Sequence, residues 1–167
     1  MKKSILFLFL LALPLLASAQ SLKFAYFSYD EVLKSMPDYV VAARNLDELR
    51  AKYDAELQRS ENDFHAKYED FLEGQKDFAP SILKKRQAEL QEMIDKNEAF
   101  KQESQRLLNQ AQADAYAPVV AKLNAAIRQM GTTKGYAFIL NTDNNALPYV
   151  DALVGENITE MLKNMLK

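Results

Sequence analysis

The chain has 167 residues, with 21 Lys+Arg against 23 Asp+Glu and a single His, for a formal charge of −2 at pH 7. It contains no Cys and no Trp, which excludes disulfide staples, thiol catalysis and thiolate zinc sites. Only four Gly, amid abundant Ala, Leu, Glu, Gln and Lys, favour long helices over a sandwich or barrel.

Lys2 and Lys3 precede an apolar run from Ile5 to Leu16 and the small residues Ala17-Ser18-Ala19, the pattern of a secretory signal peptide cleaved after Ala19. The run is shorter than the roughly 20 apolar residues that span a bilayer, and Pro14 interrupts it. No Cys follows to carry a lipid, so the mature chain is expected to be soluble outside the cytoplasm. Two lysines leave with the leader, which takes the formal charge to −4.

Leu22 to Phe27 reads as a strand. Ser28 and Glu31 form a capping box that opens a short helix through Leu33, which Pro37 ends. Asp38 then caps a long helical segment running to about Lys76. Its seam positions are Leu46, Leu49, Tyr53, Leu57, Ser60, Phe64, Tyr68 and Phe71, an eleven-residue repeat that keeps a helix nearly straight.

A break at Asp77-Phe78-Ala79-Pro80 separates this segment from a second, Ser81 to about Met130, with Leu83, Leu90, Met93, Phe100, Leu108 and Ala111 at helical spacing. Folding the chain at the break pairs Phe64 with Met93, Leu57 with Phe100, Leu49 with Leu108 and Leu46 with Ala111. It also sets Tyr53 against Ser104 and Ser60 against Asn97, polar gaps that weaken the seam. The first segment is net acidic and the second net basic, so charge is expected to favour the same register. At the turn, Lys76, Lys84, Lys85 and Arg86 stand against Asp77 alone, as a solvated helix start or as an anion-binding tip.

Pro118 lies inside the second segment, where its ring opposes the carbonyl of Asp114, and a kink or hinge is expected there. Gly131 is placed to end the helix, and Gly135 to Leu140 reads as a strand. Asn141 to Asn145 make a polar turn before Leu147 to Val150, a further strand that Pro148 places at an edge. Asn157 and Glu160 cap a closing helix with Ile158, Met161, Leu162, Met165 and Leu166 on its apolar face. The expected fold is mainly α with a small β-containing body: residues 20–37 and 119–167 form the body, and a long antiparallel helical hairpin, 38–118 with its tip near 74–86, projects from it. A lone hairpin of this length cannot make a globular core, and short strands leave open edges, so oligomerisation is expected to supply burial.

The arrangement resembles the Skp/OmpH family of periplasmic chaperones. The resemblance covers the whole mature chain and rests on Phe24-Ala25-Tyr26-Phe27, Asp30-Glu31-Val32-Leu33, Tyr116-Ala117-Pro118-Val119, Lys134-Gly135-Tyr136-Ala137-Phe138-Ile139-Leu140, Tyr149-Val150-Asp151 and Ile158-Thr159. It implies a periplasmic homotrimer whose strands join in a shared body, with Phe24, Tyr26, Phe138, Ile139, Leu140 and Val150 as trimerisation residues. Three hairpins then hold unfolded outer-membrane β-barrel proteins without ATP. Candidate client contacts on the inner arm faces are Phe64, Tyr68, Phe71, Phe78, Met93, Phe100 and Tyr116, whose other reading is helix–helix core. Lipopolysaccharide or an anionic membrane surface is the ligand a basic tip would take. Well-known members are markedly basic whereas this chain is net acidic, so apolar contacts rather than charge are expected to carry the grip. The alternative is a structural coiled-coil spacer of the cell envelope, which needs a dry, continuous seam.

No enzyme is expected. His65, with Glu61 and Glu69 one turn away on either side, lacks the converging ligands of a metal site, and no phosphate-binding loop or nucleophile triad is present. No metal, cofactor or nucleic-acid partner is expected. Asn157-Ile158-Thr159 matches a glycosylation sequon, which the helix cap explains sufficiently.

Overall fold

The computed structural model describes residues 22–167; the expected leader, residues 1–19, lies outside them. Strand β1, Phe24–Phe27, leads into helix α1, Tyr29–Ser35. Ser28 caps α1 as expected, its Oγ accepting from the Glu31 N–H at 3.1 Å. The other half of the capping box is not made: Glu31 pairs with Lys163, and the Ser28 N–H donates to Thr159 Oγ1 at 3.3 Å. The helix runs two residues past Leu33 and stops because Met36, preceding a proline, is held extended at φ −68° and ψ 131°.

Helix α2, Pro37–Gly74, opens with that proline in its first turn, where a missing N–H costs nothing. Asp38 is therefore not the cap. It lies in the first turn, against the positive end of the helix. At the far end Gly74 allows the chain to turn back on itself, since a Cβ there would come within 2.6 Å of the Phe78 ring. Helix α3, Pro80–Lys134, begins with a second proline in its first turn and spans 55 residues, about 80 Å of helix. It continues through Pro118 and also through Gly131, which was expected to end it. Gly135 ends it instead, in the left-handed conformation at φ 69°, and the Tyr136 N–H closes the terminus on the Gly131 carbonyl at 3.0 Å.

Strand β2, Phe138–Asn141, a short turn of helix, Asp143–Asn145, strand β3, Gly155–Asn157, and helix α4, Thr159–Met165, complete the chain. The three strands form one parallel sheet in the order β2-β1-β3, with Phe24 opposite both Phe138 and Gly155. Parallel neighbours need a long crossover, and the whole hairpin is the crossover between β1 and β2. The strand expected at Leu147 to Val150 is not formed. Pro148 has no N–H to give a ladder, and only at Gly155 can the backbone lie under the Phe24 ring, where a Cβ would meet it at 2.6 Å. Nor is Asn157 the cap residue of α4, although its Oδ1 accepts from the Thr159 N–H at 3.0 Å.

The core sits where these pieces meet. Phe27 of β1, Val32 of α1 and Met36 just past it, Leu123 of α3, and Ile158 and Leu162 of the closing segment are all buried in one cluster. Along the arms burial nearly stops. Between residues 38 and 118 only Ala42, Leu90 and Ser104 are buried.

Candidate functional site

The hairpin holds most of the sequence-predicted site residues, and one pair of the expected register, Ser60 with Asn97, is made directly. The Asn97 side-chain amide donates to the Ser60 carbonyl at 3.4 Å, the contact that places those two residues at one level. Tyr53 faces Phe100 at 6.1 Å between ring centroids. Beside them Ser104 turns its hydroxyl onto its own helix, donating to the Phe100 carbonyl at 2.6 Å, and Tyr53, Leu57, Ser104 and Leu108 line a cavity of about 500 Å³. The polar seam positions thus leave space that no side chain fills. Charge does not hold the register: arm ion pairs such as Arg59–Asp63, Lys96–Glu92 and Arg106–Glu103 run along one helix, because a partner three or four residues away is nearer than one across the seam.

The candidate aromatic residues fall into two kinds of environment. Phe71 lies 6.3 Å from Phe78 by ring centroid, and with Leu90 they line a small cavity of about 140 Å³ that closes the hairpin turn. Phe64 is half-buried and stacks on Tyr68 at 5.8 Å, and Tyr68 is exposed. Met93 and Phe100 are half-buried in the seam. Tyr116 stacks on Tyr39 at 5.0 Å, where burial first, and then the neighbouring Tyr39 hydroxyl acting as acceptor, raise its phenol above the ordinary value. Leu72, Ile82 and Ile94 add exposed apolar side chains along the distal arm that sequence reasoning did not select, and Val40 and Val41 are exposed nearer its root. Their signal was present: they are large apolar residues out of phase with the seam repeat.

At the tip, Lys85 and Arg86 both pair with Glu89, at 3.5 and 3.3 Å, while Lys76 and Lys84 make no ion pair among the described residues. His65 is exposed, edge-on to Phe64. Among the described residues no group of His, Cys, Asp and Glu could hold a metal ion, and no helix is long and apolar enough to cross a membrane.

The candidate trimerisation residues surround the small sheet. Phe24 stacks on Phe138 across the β1–β2 pair at 5.4 Å, and Phe138 is exposed on its other side. Tyr26, Ile139, Leu140 and Val150 are half-buried. Each outer strand, β2 and β3, has one unpaired edge among the described residues. Next to β3 the run from Tyr149 to Val154 leaves large apolar side chains in solvent, Leu153 at 96% exposure. Below the sheet, burial and then a hydrogen bond to Glu156 push the Tyr136 phenol up to about 12, and Lys23 lies 4.8 Å over its ring. This cluster ties β1, β3 and the end of α3 together.

Residues 23–166 match the family of OmpH-like outer membrane proteins. An OmpH-like protein of Caulobacter crescentus, known from its crystal structure, has the same fold with a TM-score of 0.74 at 17% identity, over 86% of this chain and 82% of that one. No curated protein matches the chain. A match over nearly the whole described length, on a fold built the same way, makes the protein a member of the OmpH-like family.

Proposed function

We propose that the protein is an ATP-independent holdase chaperone: a periplasmic homotrimer that keeps unfolded outer-membrane β-barrel proteins from aggregating. The observation that carries this reading is the poverty of burial along the arms. Two helices of 38 and 55 residues face each other and bury only Ala42, Leu90 and Ser104 between residues 38 and 118. Meanwhile Tyr68, Leu72, Ile82 and Ile94 remain in solvent. A spacer rod gains nothing from such an arrangement, because stiffness needs a dry seam. A surface that meets clients without fixed shape gains from many small apolar contacts and some freedom to bend, and Pro118 at the arm root supplies a hinge. Family membership agrees, and the Caulobacter protein of the same fold is provisionally assigned as an outer membrane chaperone.

The sheet supports the association of several copies. Three short strands with two open edges, flanked by exposed Phe138, Tyr149 and Leu153, are a liability in one chain and a joint between several. The test is light scattering from a denatured β-barrel membrane protein diluted out of urea. The mature protein is expected to suppress aggregation with no nucleotide present, and unchanged scattering would refute the reading.

A further inference from the structure

Two gaps along the arms are too wide to grip a single side chain. Those beside Ser104 and beside Ala42 measure about 500 and 610 Å³. At the tip the scale changes. There Phe71, Phe78 and Leu90 line a space of about 140 Å³, close to the roughly 150 Å³ of an apolar cavity that takes up one benzene ring.

The walls of this space are held in place. Leu90 is the large apolar side chain that the arm does bury between residues 38 and 118, so the floor is fixed. Phe78 folds back over Gly74, where its ring lies against bare backbone and a Cβ would meet it at 2.6 Å. This sets the Phe78 ring 6.3 Å from that of Phe71, inclined by 47°. Aromatic rings pair best offset or edge-to-face with centroids about 4.5 to 7 Å apart, so two tilted walls suit a third ring between them.

Charge at the mouth narrows the choice of ring. Arg86 is occupied by Glu89 at 3.3 Å, whereas the exposed Lys67 and Asp70, three residues apart on α2, make no ion pair among the described residues. A cation attracts the face of an aromatic ring, and a carboxylate accepts from a phenol hydroxyl. Tyrosine answers both, phenylalanine only the first, and leucine neither.

We propose that the tip pocket grips one tyrosine side chain of a client, which deepens the holdase reading above and rests on it. Membrane β-barrels carry girdles of aromatic residues at both interfaces, so an unfolded one offers such rings at intervals along its chain. Each arm then has one fixed aromatic contact at its tip, beside the shifting apolar contacts of Tyr68, Leu72, Ile82 and Ile94.

The probe is p-cresol, the tyrosine side chain as a free molecule, with toluene and methylcyclohexane as controls. Each is titrated into the mature protein carrying ¹³C-methyl leucine. The Leu90 methyl signals should shift saturably with p-cresol, at higher concentration with toluene and not at all with methylcyclohexane, while those of Leu123 in the body stay still. Asp70→Ala should weaken p-cresol about two- to tenfold, the worth of one hydrogen bond, and leave toluene unchanged. Phe78→Ala should abolish the shift. Gly74→Ala keeps every lining residue but displaces the Phe78 ring, and should do the same. Binding is then compared for two unfolded segments of a membrane β-barrel, one with its tyrosines and one with each tyrosine changed to leucine. The parent should prefer the first, and Gly74→Ala should bind the two alike. The proposal is overturned if the Leu90 methyls do not move, if they respond equally to methylcyclohexane, if Asp70→Ala changes nothing, or if both tip variants keep the p-cresol response. If the parent binds the two segments equally, the tip is not the client's tyrosine site and the holdase reading stands without it. If p-cresol shifts Leu90 as expected and neither segment binds, the holdase reading falls, and with it the assignment of the pocket to a client.

Discussion

Replacing Tyr68, Leu72, Ile82 and Ile94 together by Gln tests where the arms touch their clients. These side chains keep 42 to 46% of their surface exposed in the free protein. Gln is a good helix former, so the arms should keep their helicity and the protein its stability to within about 1 kcal/mol. The effect on holding should be larger. Fully burying a large apolar side chain is worth about 1.5 to 3 kcal/mol, so the exposed part of each is worth about 0.7 to 1.3 kcal/mol if a client covers it. A client without fixed structure covers about half of that surface at any moment, which makes the combined loss about 1.4 to 2.6 kcal/mol, or roughly ten- to eightyfold in Kd. Because the chain has no Trp, the tryptophan emission of an unfolded β-barrel reports binding without background. Affinity within twofold of the parent would show that these residues are not the grip. Raising salt should change the parent Kd little, since screening acts on charge pairs and not on apolar burial.

Other perturbations test the fold beneath this surface. Gly135→Ala forces a side chain into φ 69° and should cost about 1 to 2 kcal/mol, read as a lower midpoint in urea with an unchanged slope. The Asp143 carboxylate accepts from Ser28 Oγ at 2.6 Å and from the Asp30 N–H at 2.8 Å, and the Ser28 bond leads the causes that hold its pKa below the ordinary carboxylate value. Its stabilisation, about 1 kcal/mol, is therefore present above the unfolded pKa near 4 and lost as pH falls through the lower folded value. Asp143→Asn should be less stable at pH 7, with the gap to the parent closing below about pH 4; a gap constant with pH would refute the assignment. Deleting the matched blocks Leu57 to Phe71 and Arg86 to Phe100 should leave the oligomer mass per chain as expected while large clients are lost before small ones. Equal protection of large clients by the shortened protein would show that arm length is not what holds them.

The arms were legible because helix periodicity is local and repeats many times. Ser60 and Asn97, chosen only by counting back from the turn, do meet across the seam. What the periodicity left over was as informative as what it used, since Ile82 and Ile94 fall out of phase and are exposed. Charge was the weaker guide. The opposite net charges of the two segments suggested pairing across the seam, but neighbours three and four residues away compete at shorter range and win. At the body the signals were short, and tertiary contacts decided between them. Gly131 and Gly135 both suit a helix end, and the choice falls on the one where the chain must turn to bring Tyr136 into the core. Leu147 to Val150 has strand-like composition, but the sheet takes Gly155 to Asn157 because a ring from β1 needs the room that only a glycine leaves. Such a requirement belongs to two distant segments at once, and neither displays it alone.

The most direct test of the account is the mass of the mature protein in solution, measured by light scattering or sedimentation at micromolar concentration, alone and after an unfolded membrane β-barrel is added. The expected result is a trimer that gains the mass of its client and releases none of its own chains. A monomer, or a trimer whose mass does not change when the client is present, would contradict it.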